Sequence, residues 1–275
     1  MADRILELVG AIEKSGAVKN EQVLDKLPVE RERGITVKAQ SVSFNYDFQY
    51  DDLTYTLNLI DTPGHVDFNY EVSRSLAACQ GVVLLVDANS GVQAQTVANF
   101  FLAFERGLAV IPVINKIDLP HAKPDEAIAQ IESLFGIAKD QVLRVSAKQG
   151  IGIEDLLDSI VERIPPPGGD ADRPFKALVF DSWYNQFRGT VSLIAVLDGR
   201  LKTDDKIEFY HSKRREVAQE LGIFTPPEKT VKEFKAGQVG FLITGSKEAA
   251  EVQIGETIFR RGTPVEPVEG EESGA

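Results

Sequence analysis

The run Pro165-Pro166-Pro167-Gly168-Gly169 constrains the fold more than any other feature of this 275-residue chain. Neither a helix interior nor a central strand accommodates five such residues, so the chain divides there. Before the break, continuous apolar runs at 82–86 and 109–114 read as strands buried on both faces. They alternate with helical periods at 92–106, 124–135 and 153–163, with one more strand at 141–145. That alternation predicts a mostly parallel α/β sheet covered on both faces. Ile5, Leu8, Val9 and Ile12 predict a first helix ended by Ser15-Gly16, and strand-like runs at 37–46 and 54–60 flank an Asp51-Asp52 turn. After the break come short strands at 175–181, 189–197, 206–210 and 237–244, with Asp198-Gly199 read as a hairpin turn. No helical period appears there, which predicts a small antiparallel β-barrel. The expected organisation is therefore 1–165, a linker at 166–172, a barrel at 173–262, and a disordered Pro-, Glu- and Gly-rich tail at 263–275.

Charge and cysteine content narrow the function. The formal charge is −12, and residues 1–172 hold 26 acidic against 15 basic side chains. An acidic first half argues against nonspecific nucleic-acid binding, and DNA is not an expected partner. No run approaches the ~20 apolar residues of a membrane-spanning helix. A single cysteine, Cys79, excludes an intrachain disulfide framework and a multi-cysteine metal cluster.

Open α/β sheets bind ligands beyond the carboxyl ends of their strands, and the candidate chemistry lies there. Asn115-Lys116-Ile117-Asp118 follows the run at 109–114. The Asp118 carboxylate can accept from the paired N1–H and N2–H₂ donors of guanine, which adenine lacks. Asn115 would brace the loop, and the Lys116 stem would lie over the base. Ser146-Ala147-Lys148, one helix and one strand later, can offer backbone N–H groups to guanine O6, with the Lys148 stem as a second cover. Alone, Asn115-Lys116-Ile117-Asp118 serves equally well as a solvated loop and Ser146-Ala147-Lys148 is more simply an ordinary turn; their spacing makes the pair persuasive.

Asp61-Thr62-Pro63-Gly64-His65 follows the run at 54–60. Asp61 would hold Mg²⁺ through water, as a Walker-B carboxylate does. Gly64 can bring its N–H against a γ-phosphate with no side chain in the way, and His65 would orient the attacking water. The bland alternative is a strand-end turn. In Arg31-Glu32-Arg33-Gly34-Ile35-Thr36, the Thr36 hydroxyl is a second candidate Mg²⁺ ligand that senses the γ-phosphate. Its alternative is a strand-edge threonine behind a solvated charge run.

Motifs of these kinds in this order resemble the translational GTPases. Within them, Val29-Glu30-Arg31-Glu32-Arg33-Gly34-Ile35-Thr36, Leu59-Ile60-Asp61-Thr62-Pro63-Gly64-His65-Val66-Asp67-Phe68 and Glu71-Val72-Ser73-Arg74-Ser75-Leu76 are similar to LepA-type elongation factor 4. So are Ile164-Pro165-Pro166-Pro167 and Ala236-Gly237-Gln238-Val239-Gly240, and the wording at 98–105 is closer to the mitochondrial branch. The resemblance implies a GTP-binding domain of P-loop-NTPase-like type followed by the translation-factor β-barrel, with GTP/GDP and Mg²⁺ bound. It also implies partnership with ribosomal RNA and proteins, and GTP hydrolysis that remobilises stalled or mistranslocated ribosomes by back-translocation. The implied location is the matrix side of the mitochondrial inner membrane, with peripheral membrane association; the alternative is a bacterial cytoplasm or membrane periphery.

One family motif is missing. The phosphate-binding loop G-x-x-x-x-G-K-[ST] is expected before the first helix, yet the chain has no Gly-Lys dipeptide. The expectation is a chain that begins just after that loop, without the first strand of the sheet and without the family's C-terminal domains. Either a gap between strands or marginal stability of the α/β part should follow, with normal folding of the barrel and weak or absent turnover. A nucleotide- or ribosome-binding module without catalysis is the alternative function.

Overall fold

The computed structural model describes residues 1–12, 36, 38–64, 68–245, 252–263 and 265–268. It forms two compact units, residues 1–40 with 44–165 and residues 41–43 with 166–275.

In the first unit, α1 (Ala2–Leu8) precedes β1 (Gln40–Phe48) and β2 (Leu53–Asp61), which pair as a two-stranded sheet. Then follow α2 (Asn69–Leu76), β3 (Gly81–Asp87), α3 (Ala94–Glu105), β4 (Ala109–Asn115), α4 (Pro124–Phe135), β5 (Leu143–Arg144) and α5 (Ile153–Arg163). β3, β4 and β5 form a parallel sheet in that order, with Asp87 opposite Asn115 at its carboxyl edge. The helices at 124–135 and 153–163 start and stop as the sequence predicts. Pro124 occupies the first turn of α4, Asp125 and Glu126 favour its N-terminus, and Gly136 ends it in the left-handed conformation at φ 69°. Ile131 and Ile128 of α4 then pack on Ile114 and Val86 of the sheet.

Three local expectations are corrected. The first helix stops at Leu8, where Gly10 turns left-handed at φ 71°, so Ile12 lies beyond it; the Ser15-Gly16 stop falls outside the described residues. Residues 139–141 form a 3-10 turn, which shortens the strand expected at 141–145 to Leu143–Arg144. Of the strand pair around Asp51-Asp52, the first strand is shifted later, to Gln40–Phe48, and the second extends by one residue at each end, to Leu53–Asp61.

The predicted gap is present among the described residues: β2 and β3 do not pair, and the strands divide into two sheets. The edges show it. Leu57, Leu59 and Ile60 of β2 are only half-buried, and Leu85 in the apolar run of β3 is 43% exposed. On the central strand β4, Ile111, Val113 and Ile114 are all fully buried.

The second unit carries β6 (Lys176–Asn185), β7 (Gly189–Asp198), β8 (Arg200–Lys202), β9 (Lys206–Phe209), β10 (Arg215–Val217), β11 (Glu220–Ile223), β12 (Lys229–Val231), β13 (Glu233–Lys235), β14 (Val239–Ile243) and β15 (Thr257–Arg260). Eight of these strands form one antiparallel sheet, β10-β9-β15-β6-β7-β14-β11-β12, beside a β13-β8 pair. Val179, Ile194, Phe209, Leu221, Leu242 and Ile258 of the large sheet share one core with Leu201 and Phe234 of the small one. A sheet can bring all these strands onto one core only by curling on itself. No helix occurs among the described residues of 173–262.

Asp198-Gly199 is not a hairpin turn. β7 pairs with β6 and β14, whereas β8 beyond the turn pairs with β13. Gly199 is required for close approach: at φ 72°, a Cβ there would stand 2.5 Å from the Phe175 backbone. The hairpin lies instead at 186–188, where Asn185 Oδ1 accepts from the N–H groups of Phe187 and Arg188. In the segment after 262, Val268 N–H donates to Thr257 Oγ1 at 3.0 Å, which ties that part to the barrel; residues 269–275 lie outside the described residues.

Candidate functional site

Parallel pairing of β4 with β5 sets two of the predicted loops side by side. Val145 N–H donates to Ile114 O at 2.8 Å, and Ile117 N–H to Val145 O at 3.4 Å. Beyond the strands, side chains complete the link. Ser146 is fully buried, and its Oγ donates to Asp118 Oδ1 at 2.6 Å. Asn115 Oδ1 accepts from Ala147 N–H at 3.1 Å, which is the bracing role expected of it. A carboxylate has about four acceptor sites, so Asp118 keeps Oδ2 and part of Oδ1 for two further donors.

The loop's own amides are less available than the sequence implied. Ser146 N–H donates to Ile151 O, and Ala147 N–H is held by Asn115. Within Ser146-Ala147-Lys148, only the Lys148 N–H has no intrachain acceptor among the described residues.

Two residues of this edge escaped the sequence reading. Lys116 adopts a left-handed backbone, φ 66°, and its ammonium contacts Asp87 Oδ2 at 2.7 Å. Asp87 ends the apolar run of β3, the same strand-end signal that marked Asp61. Burial raises its pKa, but the Lys116 ammonium and the N–H groups of Asn89 and Ser90 outweigh that and hold it below the ordinary 3.8. The second is Arg4 of α1, whose guanidinium reaches Ala147 O and Lys148 O. Nothing in the local sequence marks a contact with a loop 143 residues away.

Of the phosphate-side candidates, Asp61 lies on the other sheet. Asp61 is the last residue of β2 and is half-buried; Thr62 follows, also half-buried, then buried Pro63 and exposed Gly64. A Cβ at Gly64 would meet nothing within 4 Å, so its backbone stands in open space. Thr36 is half-buried outside any helix or strand. His65 and residues 31–35 lie outside the described residues. The structure thus joins Asn115, Asp118, Ser146 and Ala147 directly, with Lys116, Ile117 and Lys148 on the same two loops.

Residues 1–166 match the family described as elongation factor Tu GTP binding domain. The chain belongs to the translational GTPases. Among relatives of this GTPase chain, the mitochondrial translation factor GUF1 homolog of Trichoplax adhaerens is 55% identical over 98% of the chain and 40% of the relative. The Homo sapiens mitochondrial translation factor GUF1 is 54% identical with the same coverage. Elongation factor 4 of Hydrogenobaculum is 48% identical over 96% of the chain and 44% of its own length. The chain spans about two-fifths of the length of the curated relatives it matches. A bacterial selenocysteine-specific elongation factor shares the fold at a TM-score of 0.71 and 24% identity, covering 94% of this GTPase chain and 42% of that one.

Proposed function

We propose that this chain carries the guanine-recognition site and barrel of a mitochondrial translation factor that hydrolyses GTP on the ribosome and remobilises stalled or mistranslocated ribosomes by back-translocation. The observation that carries the nucleotide reading is the Ser146–Asp118 and Asn115–Ala147 pair of hydrogen bonds, which fixes an acceptor and its neighbouring loop before any base arrives. Preset acceptors bind a base with little ordering cost. The mitochondrial assignment is supported by relatives named mitochondrial at 50–55% identity, against 48% for the bacterial one. Residence on the matrix side of the inner membrane, and peripheral contact with that membrane, belong to the same proposal. The domains follow as a GTP-binding domain at 1–165, a linker at 166–172 and the translation-factor barrel at 173–262.

In this reading Asp118 accepts from guanine N1–H and N2–H₂, Lys148 N–H donates to O6, and the Lys116 and Lys148 stems cover the base. Gly64 N–H approaches the γ-phosphate through open space, and His65 orients the attacking water. Thr36 and Asp61 would hold Mg²⁺. No group of three or more His, Cys, Asp or Glu gathers among the described residues, and one hydroxyl with one carboxylate suits an ion completed by phosphate and water. Bound there, Mg²⁺ would neutralise charge on the β- and γ-phosphate oxygens.

A second reading, a nucleotide-binding module without turnover, is favoured by the lack of a Gly-Lys dipeptide. One experiment separates the two: titrating guanine nucleotides into this chain and into the same chain preceded by a strand and a G-x-x-x-x-G-K-[ST] loop. Selective guanine binding is expected from both, and tight triphosphate binding with ribosome-stimulated hydrolysis only from the second. In that longer protein His65→Ala should slow hydrolysis by orders of magnitude at near-parent affinity. No ribosome-stimulated hydrolysis by the longer protein would leave the module reading standing.

A further inference from the structure

Arg4 commits three guanidinium nitrogens. Nε donates to Ala147 O at 2.8 Å and Nη2 to Lys148 O at 3.0 Å, while Nη1 is held by Glu7 Oε2 at 2.5 Å on the next turn of α1. The helix beneath this fork is anchored independently, with Ile5 at 3% and Leu6 at 0% exposure. The rest of the loop is closed by its own bonds. Ser146 O accepts from Gly150 N–H and Ile151 N–H, and Gln149 N–H donates to Ser146 Oγ.

Two carbonyls and one N–H of the tip remain, and they are not independent. The Ala147 carbonyl and the Lys148 N–H belong to one trans peptide plane and point in opposite directions. When Arg4 draws the Ala147 oxygen toward α1, it turns the Lys148 N–H away from α1. The Lys148 carbonyl shares its plane with the Gln149 N–H, which Ser146 already holds, so the second Arg4 bond stiffens the same tip. A lysine at position 4 would supply a point charge without the planar fork that spans both oxygens.

We propose that Arg4 is a positioning residue that aims the Lys148 N–H at the C6 carbonyl oxygen of a 6-oxopurine nucleotide. The proposal rests on the guanine reading above and adds a second check on the base. Asp118 tests the N1–H and N2 edge; Arg4, acting through the peptide it holds, tests the acceptor at C6.

The test uses the ¹⁵N-labelled full chain titrated to millimolar GTP, ITP and 6-thio-GTP. ITP lacks the N2 amine, and 6-thio-GTP keeps both donors but carries a weak sulfur acceptor at C6. In the parent chain the Lys148 amide resonance is expected to shift with GTP and ITP and much less with 6-thio-GTP. GTP should be preferred over 6-thio-GTP by roughly fivefold, the value of one neutral hydrogen bond. Arg4→Gln should abolish that preference while leaving the GTP-to-ITP ratio unchanged, and Arg4→Lys should restore part of it. Equal weakening of all three nucleotides in Arg4→Gln would make Arg4 a general support and overturn the proposal. A Lys148 amide unmoved by GTP in the parent, with residues 115–118 shifting, would overturn it without any variant. No shift in either loop would overturn the guanine reading and this proposal together.

Discussion

The three-stranded and two-stranded sheets of the first unit present their strand ends in different conditions. At the edge of β3-β4-β5, buried β4 places Asn115 beside a loop that reaches it from β5, and side-chain bonds lock the two together. At the end of β2, Asp61 and Gly64 leave a strand whose apolar side chains are half-buried and whose partner is β1 alone. A base-reading acceptor needs only fixed local geometry, which a short parallel sheet supplies. A phosphate and metal site must gather residues from several segments. The loops at 115–118 and 146–148 are locked to each other by the fold.

The largest effect should come from reversing the acceptor. Asp118→Asn presents a donor where guanine has donors and xanthine has an acceptor. Two hydrogen bonds to a charged group contribute about 3–6 kcal/mol, so preference should swing from guanosine toward xanthosine nucleotides by about 10²–10⁴-fold. Competition titration reads this directly, and unchanged guanine preference would remove Asp118 from the base site.

The next test sharpens the contrast between sheets. Ile114→Ala empties a fully buried position on β4 and should destabilise by about 2–5 kcal/mol in urea unfolding. Leu59→Ala on half-buried β2 should cost less than half as much. Equal losses would mean that the two sheets are equally packed.

The smallest effect is electrostatic. Asp87 has a folded pKa below its ordinary 3.8, so its ion pair with Lys116 adds stability above about pH 4. That contribution disappears as the pH falls through the lowered folded value. Lys116 is 55% exposed, which limits the pair to well under ~1 kcal/mol. NMR titration should find Asp87 below 3.8 and Asp87→Asn abolishing the pH dependence of the Lys116 side-chain shifts.

Much of this was legible from the chain. α4 and α5 announced themselves because Pro124 and Gly136 punctuate one and Gly152 with Glu154 and Asp155 opens the other. Asn115, Asp118 and Ser146 drew attention in the sequence because their motifs follow the runs at 109–114 and 141–145. Arg4 and Asp87 were not, since their partners are distant in sequence and only tertiary packing brings them close. The Asp198-Gly199 error has a similar origin: local turn chemistry shows that the chain bends but not which strand it then joins, and β8 joins β13. Six short barrel strands at 200–202, 215–217, 220–223, 229–231, 233–235 and 257–260 were missed because three or four residues carry too little period to read.

The measurement that bears most directly on the preset base side is a side-by-side NMR titration of the unmodified chain with millimolar GTP and ATP. The amides of 115–118 and 146–148 should move with GTP and stay in place with ATP, because adenine lacks the paired donors that Asp118 accepts. Equal movement with both nucleotides, or movement confined to residues outside these two loops, would contradict it.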